Sequence, residues 1–285
     1  MKELHEITAG FIGSGAMGSV LAKAVSRTID GTRVFITGRT AEKRARVAGE
    51  LGLREAGDNV SLVLQSDVVF LAVKPSQLPY VLSEISPYCA GKVLVSVAAG
   101  VTLASVRGMI ENTVPAALVR VMPNIAAGVG EGMTALAVEK GGREAEEAAA
   151  LVRELLSPGG PVERVDEGLM NCVTALSGSG PAYGFIFIEA LADAAVSLGM
   201  PREKAYIFAA QTLKGASALV LESGRHPAAL KDAVCSPAGT TIEAVRVLES
   251  GAFRSIIIEA VRSAACKAAI LEGGVKSSLA GALGT

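Results

Sequence analysis

The chain has no Trp, few other aromatics (Tyr 4, Phe 7), two His and four Cys among 285 residues. Its charges nearly cancel, 27 basic against 28 acidic, for a net charge of −1. That balance leaves no electrostatic footprint for a nucleic acid or an anionic membrane surface. The cysteines, Cys89, Cys172, Cys235 and Cys266, lie far apart with no CxxC spacing. Neither a structural zinc site nor a disulfide scaffold is expected, and small buried thiols in a reducing cytoplasm are. With two histidines, no nucleophile–histidine pairing and no metal-ligand cluster stands out. The first residues, Met1 to Glu6, mix acids and bases before a short apolar run, unlike a signal peptide. The longest charge-free stretch, Gly168 to Ile188, is long enough for a membrane span but is broken by Asn171 and by Ser177-Gly178-Ser179-Gly180-Pro181. No membrane segment is therefore expected. What the chain does have is apolar aliphatic content. Half of it is hydrophobic while 4% is aromatic, and the mean hydropathy is +0.44. This excludes intrinsic disorder and asks where so much apolar surface is hidden.

The first half alternates short β-rich runs with Ala-rich helical stretches. Strands are expected at 9–12, 33–37, 68–73, 93–97, 118–122 and 134–138, and helices near 16–29, 41–52, 77–86, 102–112 and 143–157. Such alternation predicts a parallel, doubly wound sheet. From about Asp166 strand signals fade and long helices follow, punctuated at Gly199-Met200-Pro201, Gly224 to Pro227, Ser236 to Gly239 and Glu249 to Gly251. Pro201 and Pro227 read as first-turn prolines. Pro158-Gly159-Gly160-Pro161 forms a turn cluster near the change. The expected organisation is a dinucleotide-binding domain over 1–164 and a helical domain over 165–285. Several of the later helices are apolar all round: Ala182 to Leu198 carries only Glu189 and Asp193, and Ile256-Ile257-Ile258 leads into more Ala and Val. A helix in one globular domain needs a single apolar stripe, so burial against a second subunit is expected.

Gly13-Ser14-Gly15-Ala16-Met17-Gly18 fits G-x-G-x-x-G between a strand and a helix, the context a Rossmann fingerprint requires. Gly13 permits the tight turn, Gly15 the approach of a pyrophosphate, and Gly18 close helix–strand packing. The bland alternative is a β–α turn with no ligand. An NAD site usually has an acid at the end of the second strand, whereas here stand Thr37-Gly38-Arg39-Thr40, with Lys43 and Arg44 behind. Arg39 and Thr40 can receive a 2′-phosphate, which favours NADP, with NAD possible. Otherwise Arg39, Lys43 and Arg44 are a solvated helix start. The later strands end in Ala72-Val73-Lys74-Pro75, Ala98-Ala99-Gly100 and Met122-Pro123-Asn124, all at the expected crevice rim.

The second half carries a resemblance. Pro227 through Glu249, PAALKDAVCSPAGTTIEAVRVLE, and Leu176 through Tyr183, LSGSGPAY, resemble hallmark segments of the pyrroline-5-carboxylate reductases. Val73-Lys74-Pro75, Arg120 to Asn124 and Gly130 to Thr134 are also similar to that family, and the likeness spans essentially the whole chain in order. The resemblance implies reduction of the cyclic imine Δ1-pyrroline-5-carboxylate to L-proline by NADPH or NADH, the last step of proline biosynthesis. It implies a Rossmann domain plus a helical domain interlocking with a second subunit, with dimers that can assemble into decamers. It places Asn59 near the adenosine ribose, Ala72 to Pro75 on the nicotinamide side, Ser179 by the substrate, and Ser236, Gly239, Thr240 and Thr241 around the substrate carboxylate and ring nitrogen. Ala98, at the rim, belongs to the expected cofactor set. Backbone N–H groups at a helix start near Gly239 can hold a carboxylate, and the Thr241 hydroxyl can hydrogen-bond the imine nitrogen. Thr241 and Ser179 are thus the expected catalytic residues. No strong general acid is called for, since a protonated iminium is already electrophilic.

Without the resemblance, Ser179 reads as an N-cap before Pro181, and Ser236 to Thr241 as a capped helix connector. His226 reads as the residue that starts a helix before Pro227. Two departures from the family pattern concern loop geometry: Ala238 stands before Gly239 where Gly-Gly is common, and Ile125-Ala126 where Thr-Pro is common. If position 238 needs positive φ, its alanine is strained. Two competing readings remain. A β-hydroxyacid dehydrogenase would need a helical lysine soon after Ser177 to Gly180, and none comes before Lys204. A non-catalytic NADP-binding sensor would keep Gly13 to Gly18 but not need Thr241 and its loop.

Overall fold

Strands covered on both faces need unbroken apolar side chains, and short runs such as Val68-Val69-Phe70-Leu71 supply them. In a computed structural model, which describes residues 3–111 and 113–282, these runs form one sheet. The elements in order are β1 (Ala9–Ile12), α1 (Ala16–Val25), β2 (Val34–Thr37), α2 (Ala41–Leu51), β3 (Arg54–Glu55), α3 (Asn59–Gln65), β4 (Val68–Leu71), α4 (Leu78–Ile85), β5 (Val93–Ser96), α5 (Leu103–Gly108) and β6 (Ala117–Met122). Then come β7 (Thr134–Val138), α6 (Arg143–Leu156), β8 (Val162–Arg164) and α7 (Met170–Val173). Helices follow: α8 (Gly180–Ser197), α9 (Arg202–Ser223), α10 (Pro227–Ala233), α11 (Thr240–Ser250) and α12 (Phe253–Ala282). The chain divides into two compact units, 1–179 with 264–285, and 180–263.

The strand order is β3-β2-β1-β4-β5-β6-β7-β8. Crossing from β2 to β4 on either side of β1 is the doubly wound pattern expected from the alternation. One expectation is corrected: the sheet is not wholly parallel, because β7 pairs antiparallel with β6. The connection between them carries only a 3-10 turn at Ile125–Val129, too little to return the chain for a parallel neighbour. The two-residue β3 and three-residue β8 are edge strands too short and too charged to show a strand pattern. The expected helix at 16–29 ends at Val25, and that at 102–112 covers only Leu103–Gly108; its last position, Asn112, lies outside the described residues.

The core lies in two layers. Ala9, Phe11, Val68 and Phe70 face one side with Leu21, Val25, Val152 and Leu155 from α1 and α6. Ile12, Val69 and Leu71 face the other with Leu62, Val63, Leu78 and Leu82 from α3 and α4. Alternation along each strand thus feeds both layers. The rings of Phe11 and Phe70 stack across neighbouring strands, 4.4 Å between centroids. Cys89 is buried, and burial pushes its thiol up to about 11. The expectation of buried thiols fails elsewhere in this chain: Cys172 and Cys266 are exposed and Cys235 half-buried.

The unit 180–263 has very little core of its own. Its fully buried apolar side chains are alanines, Ala192, Ala205 and Ala209. Meanwhile Leu198 is 88% and Leu221 83% exposed, with Phe185, Ile186, Ile207, Phe208, Ile256 and Ile258 also out. This is where the apolar excess sits. Pro227 is the first residue of α10, as expected. Pro201 stands one residue earlier, as the N-cap of α9. His226 caps α10, its Nδ1 accepting from the Ala228 amide at 3.1 Å. No described helix is long and apolar enough to cross a membrane.

One charge is buried inside the sheet. Arg120, within the apolar run of β6, is 3% exposed. Its guanidinium donates to Glu167 Oε1 at 3.1 Å, and the same oxygen accepts from the Leu103 amide at the start of α5, at 2.6 Å. Removing the carboxylate strands a buried cation. Glu167→Ala is therefore expected to lower stability by roughly 3 kcal/mol, and Glu167→Gln by less, as read by chemical denaturation with intact folding of both.

Candidate functional site

The carboxyl ends of β1, β2, β4, β5 and β6 share one rim of the sheet, where a doubly wound fold takes its ligand. The turn from β1 to α1 is built from backbone contacts. Gly13 has φ 118°, which a side chain would resist, and a Cβ there would overlap the Ala72 carbonyl oxygen. A Cβ on Gly18 would overlap the Gly13 carbonyl oxygen and press on Ala72. Gly15 differs: nothing lies within 4 Å of where its Cβ would be, and no side chain caps α1. Open space beside free first-turn amides is the cradle a pyrophosphate needs, so the residues present fit a dinucleotide. Ser14 is buried beside Gly38, while Ala16 is exposed and Met17 half-buried at the helix start.

Arg39 and Thr40 follow β2 and are both exposed. Thr40 is the N-cap of α2, yet its hydroxyl makes no capping bond. Arg44 does not belong with them. It pairs with Glu55 at 3.0 Å and donates to the Gly38 carbonyl, so the basic cluster expected of the sequence is reduced by one. Asn59 is the first residue of α3, behind an Asp58–Ser61 capping box. The Ser61 backbone amide and then its hydroxyl hold the Asp58 carboxyl below its ordinary range. The Thr37 hydroxyl donates to Asn59 Oδ1 at 2.8 Å, and Asn59 Nδ2 donates to Glu84 Oε2 at 2.8 Å. Glu84, on α4, was not anticipated, since no local motif marks it.

Ala72 and Val73 leave β4 half-buried, and exposed Lys74 precedes a 3-10 turn opened by Pro75. Ala98 is buried past β5. Beyond β6, Asn124 is buried and donates to the Ser177 hydroxyl at 3.2 Å. Its Oδ1 accepts from the Ala126 amide at 3.2 Å. That bond exists because residue 126 is alanine; a proline there has no N–H to give.

Ser179 directly precedes α8, whose first turn holds Pro181 as expected, but it lacks the extended backbone of an ordinary N-cap. Residues Thr174–Gly178 form a π-helical turn that continues α7. Ser179 closes it with helical dihedrals, φ −88° and ψ −21°, its amide bonded to the Thr174 carbonyl at 2.8 Å. Such wide turns recur at functional sites. Gly178 sits on Met122: a Cβ there would lie 2.7 Å from the methionine methyl carbon.

The remaining expected residues, Ser236, Gly239, Thr240 and Thr241, lie in the other unit. Gly239 is the N-cap of α11, extended, with no side-chain cap. A Cβ on it would overlap the Ser236 hydroxyl. Ser236 and Thr240 are exposed and Thr241 half-buried. The loop therefore presents the uncapped amides of an eleven-residue helix, flanked by hydroxyls, which suits a carboxylate. Ala238 has φ 55°, so the strain foreseen for an alanine here is present.

A doubly wound sheet with a glycine cradle at its rim, followed in the chain by a helical region, is the architecture of a dinucleotide-dependent oxidoreductase, the class to which the likenesses below assign the chain. Residues 167–271 match the model for pyrroline-5-carboxylate reductase dimerisation. Residues 8–100 match that for NADP oxidoreductase, coenzyme F420-dependent. The chain is 42% identical to the pyrroline-5-carboxylate reductase of Escherichia coli over 88% of its own length and 93% of that protein's. Among solved structures, the Coxiella burnetii enzyme superposes with a TM-score of 0.84 at 33% identity, covering 93% of this chain and 98% of that one. The Plasmodium falciparum enzyme with NADP bound gives 0.82 at 30%, covering 95% and 100%. The chain belongs to the pyrroline-5-carboxylate reductase family.

At Ala238, the left-handed backbone costs an alanine roughly 1–2 kcal/mol, partly offset by the unfolded-chain freedom a glycine adds. Ala238→Gly is expected to raise Tm by roughly 1–2 °C and Ala238→Val to lower it, as read by thermal melting.

Proposed function

We infer that this protein reduces the C=N bond of Δ1-pyrroline-5-carboxylate to give L-proline, with NADPH or NADH as the hydride source. The observation that carries this reading is the likeness to named reductases along nearly the whole chain, joined to a rim whose glycines leave open space only where a pyrophosphate would approach.

The proposed roles follow from residue chemistry. Gly13, Ser14, Gly15, Ala16, Met17 and Gly18 bind the pyrophosphate through the free amides of α1. Arg39 and Thr40 receive the 2′-phosphate, Asn59 the adenosine ribose, and Ala72, Val73, Lys74, Pro75 and Ala98 the nicotinamide side. The bound dinucleotide supplies a hydride, which the protein itself cannot. Ser236, Gly239 and Thr240 hold the substrate carboxylate at the start of α11. Thr241 donates or accepts at the imine nitrogen, and Ser179 orients the ring. These groups position and polarise; an iminium needs no strong acid beside it. Functionally, residues 1–164 serve the cofactor and 165–285 the substrate and the subunit interface, a division supported by the family match beginning at 167.

The helical region, exposed as it is in one chain, is proposed to pair with a second copy, and such homodimers to build a decamer. The exposed large apolar residues on α8, α9 and α12 support this, since large exposed apolar surface on one chain marks an interaction site. A reducing cytoplasm is the proposed location.

The decisive assay follows oxidation of NADPH and NADH with pyrroline-5-carboxylate; absence of turnover with both, in folded protein, sinks the reading. Arg39→Ala is expected to raise KM for NADPH about tenfold, by loss of a charge-assisted bond, and to leave NADH nearly unchanged. Equal effects on both cofactors count against the 2′-phosphate role. On size, the protein is expected to elute and scatter as a dimer or larger at micromolar concentration; a stable, soluble monomer contradicts the interface.

A further inference from the structure

The end of β2 lacks the acid that commonly holds an adenosine ribose, offering Gly38 and Arg39 instead. The fold brings an acid there from elsewhere. The Thr37 hydroxyl, at the last position of β2 and 2% exposed with its residue, donates to Asn59 Oδ1. Asn59 Nδ2 donates to Glu84 Oε2. Glu84 reaches this point from α4, whose Leu78, Val81, Leu82 and Ile85 are buried in the core layer shared with α3. Those four side chains anchor the helix against that layer.

The chemistry of the three groups fixes which way the amide faces. An ionised carboxylate can only accept, so the amide nitrogen must be the atom facing Glu84. The oxygen then faces Thr37, whose hydroxyl has a proton to give. Asn59 is left with one N–H to donate outside this chain of bonds. Were Glu84 absent, Thr37 could equally accept from Nδ2, and the amide would lose its preferred sense.

We propose that Glu84 is a positioning residue for the cofactor, acting through Asn59: it holds the amide so that an N–H is offered to the adenosine ribose. This rests on the dinucleotide reading of the crevice. NADPH and NADH have the ribose 3′-hydroxyl in common, so Glu84 serves both, and discrimination stays with Arg39 and Thr40.

The test is fluorescence titration of the full-length protein with NADPH and with NADH. Glu84→Ala is expected to raise both Kd values by the same factor, roughly tenfold, as for loss of a hydrogen bond to a charged group. Glu84→Gln, whose amide oxygen still accepts from Nδ2, is expected to stay within about threefold. Should Glu84→Ala not fold, the near-isosteric Glu84→Met takes its place. In an Asn59→Ala background, adding Glu84→Ala is expected to cost nothing further, because the two act as one unit. Unchanged Kd values in Glu84→Ala, a loss confined to NADPH, or losses that multiply in the double variant overturn the proposal. Wild-type protein that binds neither dinucleotide fails at an earlier point: it removes the cofactor reading itself, and this proposal with it.

Discussion

The rim of the sheet depends on backbone meeting backbone at two glycines. Gly18 lies against the Gly13 carbonyl, and Gly13 against the Ala72 carbonyl, at separations that leave no room for a Cβ. Three elements, β1, α1 and the end of β4, meet at that contact, on top of the ladder between β1 and β4 and the packing of Leu21 and Val25. Because it fixes α1 over the strand ends, it fixes where the free amides of its first turn point. It also sets the start of the Ala72 to Pro75 segment. A methyl group at either glycine would have to displace main chain, and main chain in a packed sheet has nowhere to go.

Much of this was legible in the sequence, because a strand buried on both faces and a glycine turn are local signals. The strands at Ala9–Ile12 and Thr134–Val138 have the expected bounds, and Gly13 and Gly18 make the tight turn and the close helix–strand packing expected of them. What was not legible depends on three-dimensional pairing. The reversal of β7 follows from a short connection whose consequence appears only once its neighbour is known. Glu84 reaches Asn59 from a different helix, and Glu167 reaches Arg120 from beyond the sheet. The one hint for the latter was a lone arginine in an otherwise apolar strand. The Ser-Gly-Pro signal marks a true helix start, α8 at Gly180, but the wide turn that leads into it and gives Ser179 a helical backbone leaves no mark in composition.

The two units solve the problem of burial differently. The first hides its aliphatic side chains under helices on both faces of the sheet. The second buries little beyond small alanines and leaves Phe, Ile and Leu outside. Alanine at the contact lets α8 and α9 approach closely, but it contributes little apolar area. That balance is intelligible in a family whose helical region is named for dimerisation. The aliphatic richness that the lack of aromatics first pointed to therefore has two origins, one internal and one at a surface.

The π-helical turn at Thr174–Gly178 can be viewed as a one-residue surplus. An α-helix advances its side chains by about 100° per residue, so one residue held in a widened turn shifts the phase of everything after it by that angle. Thr174 and Ser179 are thereby hydrogen-bonded five apart instead of four. Gly178 is left over Met122 and Ser177 beside Asn124. A turn one residue shorter would match the ordinary four-residue helical spacing. Ser179 would then lie on another face. A regular helix and the present direction of Ser179 are here alternatives, and the chain has the less regular one.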